Sequence, residues 1–199
     1  MLGVHRQVQN LLQGGRQRHW QARELFCADS GLLAHASLLL DDIDHAATAE
    51  VHGKTATLCA EEAGCSPALA MSAQAKTARW QGVHVCGRAR AGFFAQSADL
   101  ARRGYECSGN APVRVLLANQ EASAAALLGD ADRARRALGN AEDAVGRVQD
   151  VAAESAWACP GPRRALYALS VAIRLDDPDA ALRAAEAADA GWARGEPWL

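Results

Sequence analysis

The chain has 199 residues and a formal net charge of −2, and it is 22% charged and 50% apolar. This balance excludes a disordered chain, and the near-neutral charge argues against a dedicated nucleic-acid-binding protein, which usually carries a basic excess. Alanine supplies 46 residues, whereas aromatic residues make up only 5%. A composition so poor in strand-forming residues favours helices almost throughout.

Apolar residues at steps of three and four, bounded by capping residues, predict nine helices. Gly64 followed by Ser66-Pro67 has the pattern of one helix ending and the next beginning, and Asn110 and Asp130 have the pattern of N-caps. In chain order, the predicted helices span residues 4–13, 18–40, 44–63, 67–81, 92–107, 112–128, 131–148, 162–175 and 179–194.

The turns between these helices repeat. Segments that begin at Leu40, Leu128 and Leu175 align without gaps, so that Asp41, Gly129 and Asp176 become equivalent, and Trp80-Gln81-Gly82 marks a fourth turn. A hairpin of two amphipathic helices cannot cover its own apolar face, so neighbouring hairpins must stack. The sequence therefore predicts one all-α domain over residues 1–199. It is an array of four stacked antiparallel hairpins, with turns near 41–44, 82–92, 129–131 and 176–178.

The sequence also predicts one long connection in this array and the packing face of one helix. The stretch 83–92 is interpreted as a loop containing arginine and glycine. The eighth helix is predicted to pack on its neighbour through an apolar face formed by Leu166, Leu169, Ser170 and Ile173.

The third hairpin resembles a tetratricopeptide repeat. Counted from Gly129, small or apolar residues stand at the repeat's contact positions, which here are Ala122, Ala134, Leu138 and Ala141. The first hairpin, counted from Asp41, fits less well, because Ala46, Glu50 and Gly53 take those places.

Four longer phrases resemble the C-terminal tetratricopeptide-like region of Xre-type helix-turn-helix transcriptional regulators of high-GC bacteria. They are 59–64 (CAEEAG), 75–80 (AKTARW), 101–107 (ARRGYEC) and 163–170 (RRALYALS). The resemblance implies an α-solenoid that receives a signal or binds a partner. In such regulators a DNA-binding domain precedes this region. None precedes the array in these residues, so no direct nucleic-acid binding is expected of them.

The same resemblance implies a concave groove lined by the first helix of each hairpin. The residues expected to face it are Lys76, Arg79, Asn119, Arg163, Tyr167 and Arg174. Basic and amide groups suit a peptide carboxylate or a small acidic ligand. The alternative is that these are ordinary polar residues on an exposed wall.

Three other clusters of polar residues each have a functional and a structural interpretation. The acidic strings 41–44 and 176–179 are similar to the paired magnesium-binding clusters of prenyl-transfer enzymes, but their place beside turns favours helix capping. His45, His52 and Cys59 share a helix face at steps of seven, too far apart for one metal ion. The arginines of the seventh helix, with Asp132 among them, are expected to form a solvated, salt-bridged face.

The sequence thus favours a non-enzymatic sensory or protein- or peptide-interaction module, with no catalytic residue, metal or cofactor. One alternative is a stand-alone adaptor without a ligand, and a more remote one is a magnesium-dependent prenyl-transfer enzyme. Six cysteines without a CxxC pair, the lack of a signal peptide and the lack of a membrane-spanning segment favour a cytoplasmic protein with reduced thiols. The oligomeric state is left open, a homodimer included.

Overall fold

The computed structural model describes residues 2–15, 17–147 and 157–195. These residues form nine helices and no strand. The helices are α1 (Leu2–Gln13), α2 (His19–Asp42), α3 (Ala46–Ala63), α4 (Ala68–His84), α5 (Arg88–Cys107), α6 (Ala111–Leu128), α7 (Ala131–Val145), α8 (Gly161–Arg174) and α9 (Pro178–Ala193). All nine predicted helices are present, although Val148, the predicted end of the seventh, lies outside the described residues. No described helix combines the length and apolarity needed to cross a bilayer.

Consecutive helices pack in four pairs, α2 with α3, α4 with α5, α6 with α7 and α8 with α9, and α1 packs on α2. The first helices of the pairs also contact one another in sequence order, α2 with α4, α4 with α6 and α6 with α8. We call these four helices the inner layer. The predicted pairing is confirmed, and the candidate site lies on the inner layer.

Each turn within a pair contains one residue with positive φ, between 54° and 78°: Asp44, Gly87, Gly129 and Asp176. The amide that follows three of them bonds back to the preceding helix, as in His45 to the Leu40 carbonyl at 2.8 Å. The gapless alignment through Asp41 was therefore wrong by three residues. Asp44 is the equivalent of Gly129 and Asp176, and Asp41 belongs to the last turn of α2.

The corrected register improves the first repeat. Five, nine and twelve residues after Asp44 stand Ala49, Gly53 and Ala56, and all three are buried. A Cβ atom on Gly53 would lie 2.6 Å from Cγ of Gln74 in α4, so only glycine allows this approach. The same steps from Asp176 lead to Ala181, Ala185 and Ala188, and the interval pattern recurs in α5 at Ser97, Ala101 and Gly104.

The predicted loop over 83–92 is wrong. Helix α4 continues to His84 and α5 starts at Arg88, so the connection is only Val85–Gly87. Gly82 is no turn residue: it is buried in α4, where a Cβ atom would lie 2.6 Å from the Phe94 ring. The inserted residues lengthen both helices of the pair, because the arginine and alanine among them favour helix more than glycine opposes it.

The helices that begin after α5, α6 and α8 each have a side-chain N-cap. The side chains of Asn110, Asp130 and Asp177 accept backbone N–H bonds at 3.0–3.1 Å from the third residue beyond each. These caps are as predicted. The first acidic string departs from the capping interpretation, because no side chain caps the start of α3.

Residues 157–160, here called the crossing segment, lead directly into α8 and reach α2 at the other end of the inner layer. The indole of Trp157, 6% exposed, donates to Nε2 of His35 in α2 at 2.8 Å. Trp157 and Cys159 belong to the larger apolar cluster, which also contains residues of α2, α4, α5 and α6. Part of the inner layer is therefore covered by the chain itself.

Candidate functional site

Three of the six residues expected in the groove line one cavity. The cavity has a volume of about 250 Å³ and lies between three helices of the inner layer. Its lining residues are Arg79 of α4, Ser123 of α6, and Arg163, Leu166, Tyr167 and Ser170 of α8. This size accommodates a carboxylate with a small side chain rather than a large cofactor.

Arg79 supplies the cation on the α4 side of the cavity. It is half-buried, and its Nε atom is buried without a hydrogen-bond partner among the described residues. Burial raises the pKa of Asp41, and the Arg79 guanidinium is one of the groups that oppose this rise, so the two groups lie within electrostatic reach. A buried donor without a partner costs free energy, so an acceptor bound in the cavity would gain this hydrogen bond.

Arg163 and Tyr167 approach from the first turns of α8. Arg163 donates from Nη1 to the Ala158 carbonyl at 2.8 Å, which ties the start of α8 to the crossing segment. Tyr167 packs against the larger apolar cluster. Burial raises the pKa of the nearby Cys159 thiol to about 11, although the charges of Arg163 and Arg164 oppose the rise. The α8 side of the cavity is therefore basic, and it packs against the larger apolar cluster.

Lys76, one turn before Arg79, is already engaged in an ion pair. Its ammonium group pairs with Asp42, and it lies 4.0 Å from a carboxylate oxygen of Asp41. Asp41 is 4% exposed, and burial raises its pKa, while Lys76 and Thr77 lower it. The first acidic string therefore neutralises Lys76, which does not line the cavity.

Asn119 and Arg174 lie outside the cavity. Asn119 is 2% exposed and donates to the Val115 carbonyl of its own helix at 2.8 Å. Ser123, one turn further along α6, takes the place expected for Asn119 at the cavity. Arg174 is exposed at the end of α8 and lines an adjoining shallow depression of about 320 Å³.

That depression corrects the predicted packing face of α8. Its other lining residues are Leu166, Leu169, Ser170 and Ile173, the residues expected to contact a neighbouring helix. Leu166 is 44% and Ile173 64% exposed. The buried residues of α8 are instead Pro162, Ala165, Val171 and Ala172. Steps of three and four mark two faces of this helix, and the larger apolar residues lie on the uncovered one.

The remaining clusters have structural partners. No group of three or more His, Cys, Asp or Glu side chains in the described ranges is arranged to hold a metal ion. Arg135 pairs with Asp132 at 3.7 Å, as expected for a surface face. Arg133 instead pairs with Asp99 at 2.9 Å and with Glu121, a buried residue of α6, at 2.8 Å. No helical spacing in the sequence indicates these pairs, since their members lie 34 and 12 residues apart.

Three cavity residues, Ser123, Leu166 and Ser170, were not among the six expected in the groove. Ser123 and Ser170 each stand about one helical turn after a residue that was expected there, Asn119 and Tyr167. A search of positions i+4 from each candidate would have found Ser123 from Asn119. Comparison with family models, with curated proteins and with solved structures finds no match to this chain, so the site is described from its own geometry.

Proposed function

We propose that the chain is a sensory or protein-interaction module of a bacterial transcriptional regulator, located in the cytoplasm and without catalytic activity. In this proposal the helix pairs form a tetratricopeptide-like solenoid. The cavity between α4, α6 and α8 binds the carboxylate of a peptide or of a small acidic ligand. Arg79 and Arg163 hold the carboxylate, and Leu166 and Tyr167 contact the apolar part of the ligand.

The observation that carries the proposal is the meeting of Arg79, Arg163 and Tyr167 at one cavity. They come from α4 and α8, which are separated in the chain by three further helices. The unpartnered Nε of Arg79 favours an acceptor as ligand, and a guanidinium binds a carboxylate through two parallel hydrogen bonds. Arg163 adds a second positive charge on the opposite wall.

Fold-level support comes from the repeated turn and the repeated small residues. Four helix pairs, a positive-φ residue in each turn, and small residues at the same intervals in α3, α5 and α9 suit a tetratricopeptide-like array. Such arrays present their first helices to a ligand, and here those helices form the inner layer.

The test compares Arg79→Gln with Arg136→Gln in a thermal-shift assay. The probes are pooled pentapeptides with free C-terminal carboxylates, the same pool with amidated C-termini, and succinate. We expect a carboxylate probe at 100 times its Kd to raise the free energy of unfolding by about 2.7 kcal/mol. Arg79→Gln should abolish this rise. Arg136, exposed on α7 and outside the cavity, is the matched control and should leave it unchanged.

Charge reversal at Lys76 is a poor test, because a glutamate there would face Asp41 and Asp42. No stabilisation by any carboxylate probe would favour the adaptor alternative, and equal loss in both arginine variants would contradict the assigned cavity. Stabilisation by the amidated pool alone would contradict recognition of a terminal carboxylate.

A further inference from the structure

Two cysteines meet where α2 passes the turn between α3 and α4. Cys27 lies on α2 one helical turn after Arg23, whose guanidinium contacts the turn that carries Cys65, the second residue after α3. The neighbouring Cys27 also contributes to the raised pKa of the Cys65 thiol. Both are free thiols, Cys27 exposed and Cys65 half-exposed. They are 38 residues apart in the chain, so only the fold brings them together.

Arg23 fixes the geometry of this contact. It stands one helical turn before Cys27 and donates from Nε to the Ala63 carbonyl at 2.9 Å. A Cβ atom on Gly64 would lie 3.0 Å from Nη2 of Arg23, so the turn sits directly on the guanidinium. Gly64 adopts the left-handed conformation of this turn, and Cys65 follows it directly. The Arg23 side chain therefore holds the turn that carries Cys65 against the part of α2 that carries Cys27.

We propose that Cys27 and Cys65 are a redox-modification site, at which a peroxide converts the two thiols into a reversible disulfide. This site is separate from the cavity of the proposed function and does not depend on it. A disulfide here would join α2 to the turn that starts α4. It would thereby hold together the two helices that carry the Asp42–Lys76 ion pair.

The reaction balances with hydrogen peroxide as the oxidant. Cys27 supplies the first thiolate, since it is the more exposed, while burial and the neighbouring Cys27 raise the pKa of the Cys65 thiol to about 11. The thiolate attacks one peroxide oxygen, the O–O bond breaks, and the hydroxide released takes up a proton to become water. The Cys65 sulfur then attacks the sulfenic sulfur of Cys27, the S–O bond breaks, and the Cys65 proton leaves in a second water.

The experiment oxidises the full reduced chain with one equivalent of hydrogen peroxide, alkylates the remaining thiols and maps the disulfide by non-reducing tryptic digestion. We expect two of the six thiols to disappear, with the peptide 24–54 linked to the peptide 55–76. Fragmentation must separate Cys65 from Cys59, which lies on the same tryptic peptide and is buried. The oxidised chain should melt roughly 5–10 °C higher, and dithiothreitol should reverse the shift.

Matched variants separate this pair from the other exposed thiols. Cys27→Ser and Cys65→Ser should each abolish the linked peptides and the thermal shift, whereas Cys86→Ser should change neither. Cys107 needs its own variant, because its sulfur accepts from the Ser66 hydroxyl at 3.9 Å and so lies beside the same turn. A disulfide that survives Cys27→Ser, one that contains Cys107, or a disulfide-linked dimer would each overturn the proposal.

Discussion

The pair α6–α7 and the pair α8–α9 have the same plan but very different surroundings. Both have a positive-φ residue in the turn and an aspartate cap after it. Helix α6 nevertheless buries most of its residues from Val113 to Ala126, whereas α8 and α9 expose Leu166, Ile173, Leu182 and Trp192. Helix α6 is covered by α4, α5, α7 and α8, whereas α8 packs mainly against α6 and α9. Burial is thus set by the place of a pair among its neighbours, not by its own pattern.

The largest expected effect comes from removing a core leucine of α6. Leu117, 0% exposed, packs on Gly104 of α5. Leu117→Ala should lower the free energy of unfolding by about 3 kcal/mol, because it leaves a cavity in a close-packed interior. Leu182→Ala, at a residue of α9 that is 62% exposed, should change it by less than about 0.5 kcal/mol. Urea unfolding followed by circular dichroism measures both, and similar losses would contradict the contrast between the two pairs.

A smaller effect is expected at the contact between α5 and α6. A Cβ atom on Gly104 would lie 2.9 Å from Cδ2 of Leu117, so Gly104→Ala should destabilise the fold by about 1–3 kcal/mol. Gly139 of α7 is exposed, and a Cβ atom there would meet nothing within 4 Å. Gly139→Ala should therefore stabilise by about 0.5–1 kcal/mol through helix propensity. If both variants change the free energy of unfolding in the same direction, the close contact between Gly104 and Leu117 does not determine the effect of Gly104→Ala.

The smallest effect is a loss of folding stability at high pH, caused by Cys159 just before α8. The pKa of the Cys159 thiol is raised to about 11 from the ordinary 9.0, so the unfolded chain releases this proton first as pH rises. The stability linked to the protonated thiol is complete below pH 9 and is lost between pH 9 and 11. It should fall by about 1 kcal/mol from pH 7 to pH 10.

Cys159→Ala should remove this part of the alkaline decline, while Cys86→Ala, at an exposed cysteine, should leave it in place. Urea unfolding of both variants at pH 7 and pH 10 tests the assignment. An unchanged decline in Cys159→Ala would assign the loss of stability to other groups.

The helices and their pairing could be predicted because they depend on local patterns: apolar periodicity, glycine turns and aspartate caps. The register of the first turn could not, because Asp41, Asp42 and Asp44 are chemically alike and only backbone conformation distinguishes the residue in the left-handed region. The role of Asp29 was equally hidden. It interrupts the apolar face of α2, yet it is fully buried and accepts bonds from His5 and Gln9 of α1 at 2.6 and 2.7 Å.

Three of the six residues that the sequence analysis assigned to the groove line the cavity. Arg79, Arg163 and Tyr167 were expected because the resemblance puts the first helix of each hairpin on the groove, and these three line the cavity. Lys76 and Asn119 were assigned to the groove on the same basis but face partners within the fold. Periodicity gives the direction of a side chain from its helix axis, and it does not say whether a carboxylate or a neighbouring helix already occupies that direction.

The hydrogen bond between Trp157 and His35 has a consequence for synthesis of the chain. It joins residues 122 positions apart, whereas neighbouring helices of a stacked array contact each other over short stretches of sequence. The part of α2 that Trp157 covers therefore remains exposed while five further helices, α3 to α7, leave the ribosome. The first helix pair can form early, but its surface is completed only when the segment before α8 has been translated.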